Sequence, residues 1–336
     1  MTDAALRLTG LAVCLACWNA QPATASDNTR QFPATAVACS ADGRWLASVG
    51  ESELCLHDPR TLAIQRRFTL PLSQAFDVAF VMPDQQLLVC GGTPGEVGGV
   101  VLLDMVESTA ADAATTGPAL RLVSHREVSG DVIYAVTRHQ DDVVAAGHDR
   151  GLYRLSLSDT AAAPEAIAAA HSRSITDVVS AASDDLLVSC GADNTIRVWS
   201  ADATVQLRAF NNHAKAVRQL AFRPALNAGL PLLASAADDR TVRFWQPTIG
   251  RMVRFKRLSS PATSVTWVSD GSVAVVGRRD GQVCFVNPQT LEVACVPVDQ
   301  SGWITCLAAL PGSTDVIAGT TSGRLSRVNL PAALRE

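Results

Sequence analysis

Histidine, serine and aspartate recur in the same order in the middle of the chain, and these three residue types together could perform nucleophilic catalysis. The two sets are His171, Ser189 and Asp193, followed by Trp199, and His213, Ser235 and Asp239, followed by Trp245. In both sets aspartate follows serine by four residues, and tryptophan follows aspartate by six. Two neighbouring copies of a catalytic triad would be improbable. The repeated fourth member therefore favours a structural role for all eight residues.

The sequence segments that contain these residues are also repeated. Residues 186–199 (LLVSCGADNTIRVW) and 232–245 (LLASAADDRTVRFW) are close copies, and their tryptophans lie 245 − 199 = 46 residues apart. Alternating apolar residues bounded by glycine, asparagine and aspartate predict short antiparallel strands joined by tight turns. A period of this length with short strands indicates a repeat architecture.

The two four-residue sets resemble the repeats of the WD-repeat β-propeller family. In that family each repeat carries a histidine before its first strand, serine or threonine in the second, aspartate in the next turn and tryptophan in the third. The resemblance implies that the four side chains form a hydrogen-bonded chain inside one blade. Such a chain would satisfy buried polar groups that each need a partner.

The same pattern predicts seven repeats along the chain. The positions equivalent to the tryptophan are His57, Leu103, Leu155, Trp199, Trp245, Val286 and Val328. Each belongs to an apolar third strand, at 54–58, 100–104, 152–156, 196–200, 242–246, 283–287 and 325–329. We therefore expect an all-β fold, a single seven-bladed β-propeller of four-stranded antiparallel blades over residues 26–336. The outer repeats lack the histidine and tryptophan, so their assignment depends on pattern and spacing.

Two segments could close the ring. The resemblance implies that the chain around residues 28–32 supplies the outer strand of the last blade and so removes an open sheet edge. The alternative is the C-terminal piece, residues 332–336. Three stretches interrupt the repeats, and we expect surface loops at residues 105–118, 157–170 and 224–231.

The first 25 residues differ from the rest. Arg7 precedes the apolar run LTGLAVCLACW, and Ala23-Thr24-Ala25 is a small-x-small cleavage motif. This pattern predicts a cleaved secretory signal peptide over residues 1–25, because the run is too short for an ordinary membrane-spanning helix. The mature protein is then expected to be periplasmic or secreted. A cytoplasmic protein with an unprocessed N-terminus is the alternative.

The chain has nine cysteines, and seven remain after residue 25. They are Cys39, Cys55, Cys90, Cys190, Cys284, Cys295 and Cys306. Most lie on predicted strands beside aliphatic residues, and we expect buried free thiols there. Cys284 and Cys295 fall on adjacent strands of the sixth repeat and could form a disulfide, which the sequence leaves open.

Composition and motifs argue against nucleic acid, metal ions, cofactors and membranes as partners of this protein. The formal net charge of −4 does not favour nucleic acid as a partner, because phosphate binding needs a basic surface. The six histidines show no metal-ligand spacing, and no nucleophile-elbow motif occurs, so neither metal nor cofactor is expected. Once the signal is removed, no membrane partner is expected.

The resemblance implies protein–protein recognition, with a monomeric propeller binding other proteins or peptides in a larger complex. A propeller enzyme of the hydrolase or lactonase type, with its site in the central channel, is the alternative.

The resemblance also implies a binding face. In this family the top face is built by loops entering the first strands and by turns joining the second and third strands. Mapping of equivalent positions from the two complete repeats places six residues on the top face: Tyr134, His148, Arg218, Asp238, Arg279 and Trp303. Tyrosine, tryptophan and arginine are over-represented among interface hot spots. Trp303 is the sharpest candidate, because an exposed tryptophan at a strand start is costly unless it packs against something.

Overall fold

The strands form seven antiparallel sheets around one ring, which confirms the predicted seven-bladed propeller. The computed structural model describes residues 32–81, 85–106, 117–181, 186–224, 232–300 and 302–334. Within these residues six sheets have four strands and the seventh has three. In every blade, consecutive strands along the chain are neighbours in the sheet. Each of the seven predicted third strands overlaps an observed third strand, and four of them, at 54–58, 196–200, 283–287 and 325–329, extend one residue beyond it.

The first four blades follow one another from the N-terminal side of the described chain. Blade one contains β1 (Ala36–Cys39), β2 (Leu46–Gly50), β3 (Glu53–His57) and β4 (Ile64–Thr69). Blade two contains β5 (Ala75–Val81), β6 (Gln86–Thr93), β7 (Val97–Val106) and β8 (Ala119–Ser129). Blade three contains β9 (Ile133–His139), β10 (Asp142–Gly147), β11 (Gly151–Ser156) and β12 (Glu165–Ala169). Blade four contains β13 (Ile175–Ser180), β14 (Leu187–Gly191), β15 (Ile196–Trp199) and β16 (Gln206–Phe210).

The last three blades complete the ring. Blade five contains β17 (Val217–Phe222), β18 (Leu233–Ala237), β19 (Thr241–Gln246) and β20 (Arg251–Arg257). Blade six contains β21 (Ala262–Trp267), β22 (Ala274–Arg278), β23 (Gln282–Val286) and β24 (Val293–Pro297). Blade seven contains β25 (Ile304–Ala309), β26 (Val316–Thr320) and β27 (Leu325–Val328).

Burial falls from the centre of each blade to its outer edge. The first strands contact one another in turn, and β25 contacts β1, so they line the centre of the ring. Every residue of five second strands is buried, because neighbouring blades cover both of their faces; these strands are β2, β14, β18, β22 and β26. The outer strands face water, and four of the five residues of β16 are exposed.

Blade seven meets blade one through the segment that precedes β1. The Thr305 hydroxyl donates to the carbonyl of Ala34, and the Ala34 amide lies 3.4 Å from the carbonyl oxygen of Thr320. Phe32 is buried in the same segment but belongs to no strand, and residues 28–31 lie outside the described part of the chain. The C-terminal alternative is wrong for Ala332–Leu334, which form a 3₁₀ helix beside β24.

One predicted loop is partly wrong. Residues 165–169, expected within the loop 157–170, form β12, the outer strand of blade three. Alanine is depleted in strands, so its richness here indicated a loop. Pairing of Arg154 with Glu165 shows that the free edge of β11 overrides this preference. Residues 107–116 and 225–231 of the other two loops, and residues 1–25, lie outside the described residues. No helix within the described ranges is long and apolar enough to cross a membrane.

Candidate functional site

In blade four the predicted set forms one chain of hydrogen bonds. The Trp199 indole donates to the Ser189 hydroxyl oxygen over 2.9 Å, and that hydroxyl lies 2.8 Å from Nε2 of His171. The other ring nitrogen of His171, Nδ1, is 3.0 Å from both carboxylate oxygens of Asp193. A proton on Nδ1 therefore leaves Nε2 free to accept from serine, and every polar group of the chain is satisfied.

Blade five repeats this chain almost atom for atom. Trp245 donates to Ser235 over 2.9 Å, Ser235 lies 2.8 Å from His213, and His213 lies 2.9 Å from Asp239. Ser235 and Trp245 are fully buried. Asp239 also accepts hydrogen bonds from the backbone amides of Ala214 and Thr241. The aspartate thus ties the loop before the first strand to the turn before the third.

Hydrogen bonds keep the buried carboxylates of Asp193 and Asp239 ionised. Burial opposes ionisation of Asp193, but donors on His171 and Thr195 outweigh it and lower its pKa to about 2. The same balance lowers the pKa of Asp239. Burial lowers the pKa values of His171 and His213, whose aspartate partners only partly compensate. Both histidines are therefore neutral at pH 7, as the hydrogen-bonded chains require.

Two other blades keep one member of the set with different partners. Blade one keeps the central serine and blade three keeps the turn aspartate. These contacts were not predicted from the sequence. In blade one His57 occupies the tryptophan position and lies 2.8 Å from Ser48. In blade three the Asp149 carboxylate accepts from the hydroxyls of Ser129 and Tyr153. The position of Ser129 in the sequence could have indicated this contact. Ser129 lies four residues before Ile133, the first residue of β9, just as His213 lies four residues before Val217, the first residue of β17.

A bulge near the start of the first strand re-aims one side chain in six of the seven blades. Register shifts occur one residue into β5, β9, β13, β17, β21 and β25. Such a bulge re-aims the side chain of its extra residue. In blades four, six and seven this residue is threonine, whose hydroxyl donates to a carbonyl of the next blade. In blades two, three and five it is Phe76, Tyr134 and Arg218.

Four of the six predicted top-face residues form one connected cluster, which we call the top cluster: Arg218, Asp238, Arg279 and Trp303. Asp238 accepts from Nε of Arg218 over 3.0 Å and from Nη2 of Arg279 over 3.1 Å. The Arg279 guanidinium then lies 4.5 Å from the ring centre of Trp303, in cation–π geometry. The cluster therefore links blades five, six and seven on one face.

The other two predicted residues lie together in blade three. Nδ1 of His148 is 2.7 Å from the Asp131 carboxylate, and the rings of His148 and Tyr134 are 6.1 Å apart. Phe76 packs edge-on against Tyr134 at 5.1 Å and extends this group into blade two. Phe76 and Asp131 were not predicted from the sequence. The bulge position that Phe76 shares with Tyr134 could have identified it.

The top cluster has the composition of a recognition site. Two arginines share one carboxylate, so the ionised groups carry a net single positive charge. Trp303 is 48% exposed, although its ring already stacks on Arg279. Arginine held in place by Asp238 loses less side-chain entropy when it binds a carboxylate. Within the described chain, no three His, Cys, Asp or Glu side chains are grouped so that they could hold a metal ion.

Two further carboxylates link blades at the inner strands. Asp77 accepts from the backbone amides of Val78 and Val136, and Asp177 accepts from those of Val178 and Leu220. Each aspartate therefore joins its own first strand to the first strand of the following blade. Loss of contact with water raises the pKa of Asp77 to about 7 and that of Asp177 to about 8, with mutual repulsion adding to the second shift.

These shifts predict that the propeller loses stability as the pH rises from about 4 to about 8. An unfolded aspartate has a pKa of about 3.9, so the native state holds more protons between roughly pH 4 and 8. The stabilisation is complete below about pH 4 and is lost as pH rises through the folded pKa values of about 7 and 8. Replacing both Asp77 and Asp177 by asparagine should therefore flatten the fall in unfolding free energy between about pH 4 and 8.

Urea unfolding at several pH values measures this slope directly. The comparison uses the change with pH within each protein, so a general loss of stability in the variant does not obscure it. An equally steep slope in wild type and in the double variant would show that neither carboxyl titrates in this range.

Two of the sequence repeats match a known protein family. Residues 164–200 and 204–246 match the WD40 family, described as WD domain, G-beta repeat. Each matched repeat begins near an outer strand, β12 or β16, and ends in the third strand of the next blade. The outer strand of one blade is therefore the start of the next sequence repeat.

Several curated proteins are similar to parts of this chain. The THO complex subunit 3 of Arabidopsis thaliana is 26% identical over 121 residues, 35% of this chain and 38% of the relative. Protein transport protein SEC13 of Mycosarcoma maydis is 30% identical over 118 residues, 28% and 32% of the two chains. WD repeat-containing protein srw1 of Schizosaccharomyces pombe is 22% identical over 219 residues, which are 64% of this chain and 38% of the relative. The chain thus spans roughly a third of the length of these relatives.

Proposed function

Because this chain is a seven-bladed β-propeller with repeats of the WD-repeat family, we propose that it is a non-catalytic scaffold that binds other proteins or peptides through its top face. The observation that carries the proposal is the top cluster, in which one carboxylate and one tryptophan connect side chains from three blades. The relatives agree with such a role, since one is a complex subunit and another a protein of protein transport.

The chemistry of the top cluster favours a partner segment that carries a carboxylate beside an apolar side chain. Arg218 and Arg279 present guanidinium groups on either side of Asp238, and Trp303 offers an exposed aromatic face beside them. A carboxylate can accept two parallel hydrogen bonds from one guanidinium. The propeller would then act as a monomeric member of a larger complex.

The His-Ser-Asp sets of blades four and five are poorly placed to serve as the catalytic residues of an enzyme. A serine nucleophile must reach substrate, but Ser189 and Ser235 are both fully buried. Their hydroxyl oxygens already accept from tryptophan, and their neutral histidines are bonded to aspartate. These groups therefore stabilise the blades, and we propose no catalytic activity for them.

Capture from the native source tests the scaffold proposal. Tagged wild-type protein and a variant carrying Arg218→Ala and Trp303→Ala are incubated with the same extract, and bound proteins are quantified by mass spectrometry. The proposal expects a defined set of proteins on the wild type that is depleted on the variant. Equal recovery of every bound protein would place the interface on another face.

We also propose that the protein is exported, because an apolar run precedes the motif Ala23-Thr24-Ala25. Protein isolated from its native host should then begin at or near Ser26. N-terminal sequencing of the isolated protein measures this start. Recovery of a soluble product that retains Met1 or Thr2 would contradict export and favour the cytoplasmic alternative.

A further inference from the structure

A buried arginine lies against a disulfide in blade six. The disulfide joins Cys284 of β23 to Cys295 of the outer strand β24, and the two residues are direct cross-strand partners. Nη1 of Arg278 lies 3.2 Å from Sγ of Cys284 and 3.5 Å from Sγ of Cys295. Nη2 of the same guanidinium donates to the Asp280 carboxylate. The disulfide that the sequence left open is thus formed and carries a cation beside both sulfurs.

This arrangement replaces the hydrogen-bonded chain of blades four and five. Asp280 stands two residues after Arg278, as Asp239 stands two after Ala237, and both Arg278 and Ala237 end a second strand. Leu258 occupies the position of the histidine, four residues before Ala262. Arg278 therefore supplies the donor that histidine supplies in blade five, and its Nη1 turns to the sulfurs.

The guanidinium is poorly satisfied while the disulfide is intact. Arg278 is only 4% exposed, and its Nε has no hydrogen-bond partner. Sulfur without charge is a weak acceptor, whereas hydrogen bonds to an ionised acceptor are about twice as strong as neutral ones. A thiolate on either cysteine would give Nη1 the anionic acceptor that it lacks. Arg278 therefore favours breaking of the sulfur–sulfur bond over keeping it.

The two sulfurs differ in their surroundings. Cys284 is fully buried and is the nearer one to Arg278, whereas Cys295 is an exposed residue at the edge of the sheet. An attacking thiol reaches Cys295 from outside, and the better stabilised leaving group is Cys284. Exchange proceeds faster when the leaving thiolate is stabilised.

We propose that the Cys284–Cys295 disulfide is a site of thiol–disulfide exchange that accepts electrons from an external dithiol. A thiolate of the dithiol attacks Sγ of Cys295, the sulfur–sulfur bond breaks, and Cys284 leaves as a thiolate beside Arg278. The second thiol of the reductant then loses its proton and attacks the mixed disulfide at the reductant's own sulfur. Cys295 is released and protonated, the dithiol becomes a disulfide, and two electrons have reduced the cysteine pair.

The first test is the position of the mixed disulfide in the unmodified protein. Folded wild-type protein is treated with reduced glutathione, quenched with acid, alkylated and digested, and the cysteine peptides are identified by mass spectrometry. The proposal expects glutathione on Cys295 and a free, alkylated thiol at Cys284. An adduct confined to Cys284, or a disulfide that is reduced only after unfolding, would overturn it.

The second test separates the charge of Arg278 from its size. Reduction of the folded protein by dithiothreitol should be at least fivefold slower in Arg278→Gln, which keeps hydrogen-bond donors without charge. Arg278→Lys should restore the rate to within about twofold of wild type. Equal rates in wild type and Arg278→Gln would show that the guanidinium does not assist the exchange. Circular dichroism of each oxidised variant checks that the blades remain folded.

Discussion

Replacing Asp239 by alanine is expected to lower the free energy of unfolding by about 1–3 kcal/mol, the cost of leaving buried donors without an acceptor. Nδ1 of His213 and the amides of Ala214 and Thr241 all donate to this carboxylate. His213 is buried, so water cannot fully replace the lost acceptor there. The loop before β17 and the turn before β19 would both lose their shared anchor.

Thermal and urea unfolding of Asp239→Ala measure this loss, with Asp238→Ala as the matched control. Asp238 is the neighbouring residue in the same turn, but its partners are the surface side chains of Arg218 and Arg279. Surface ion pairs contribute about 0–1 kcal/mol, so the control should change stability less. An unchanged midpoint for Asp239→Ala would remove the structural role assigned to the hydrogen-bonded chains.

Replacing Trp303 by alanine is expected to weaken partner binding by at least about 1 kcal/mol, the usual threshold for a hot-spot residue. That free energy corresponds to roughly a fivefold rise in Kd. The tryptophan ring supplies exposed apolar area, and it also holds the Arg279 guanidinium in place. Titration calorimetry with the captured partner measures the change. Arg218→Ala should weaken binding by a similar factor.

Phe255→Ala provides the matched control for Trp303→Ala. Phe255 is 46% exposed, and Arg243 lies over its ring at 5.3 Å, so its local contacts are similar. It belongs to β20, however, on the outer edge of blade five. The account predicts unchanged affinity for this variant. A loss of affinity as large as that of Trp303→Ala would move the interface from the top face to the outer strands.

Repeated residues made the central blades predictable from sequence. The spacing of Ser235, Asp239 and Trp245 within one repeat, and its copy in the preceding repeat, specified both the strands and their polar contacts. Weaker repeats still showed apolar third strands at a regular period, because burial between neighbouring blades demands apolar residues wherever a blade forms. The number of blades followed from that period.

Contacts between repeats were harder to predict, because no local pattern encodes them. No sequence pattern in blade six indicated that Arg278 would turn inward and reach two sulfurs. The strand at 165–169 was hidden by its alanines, whose pairing depends on the exposed edge of β11. The link between Arg279 and Trp303 depends on the angle between blades six and seven, which spacing along the chain does not determine.

Amine-reactive cross-linking of the wild-type complex distinguishes binding at the top face from binding at the outer strands, because lysine occurs at only two positions. Lys215 lies in the exposed loop between β16 and β17, two residues after His213 and three before Arg218, whereas Lys256 lies on the outer strand β20. If the top face binds the partner, cross-linked partner peptides should be attached to Lys215. Attachment to Lys256 alone would contradict the account and place the partner on the outer edge of the blades.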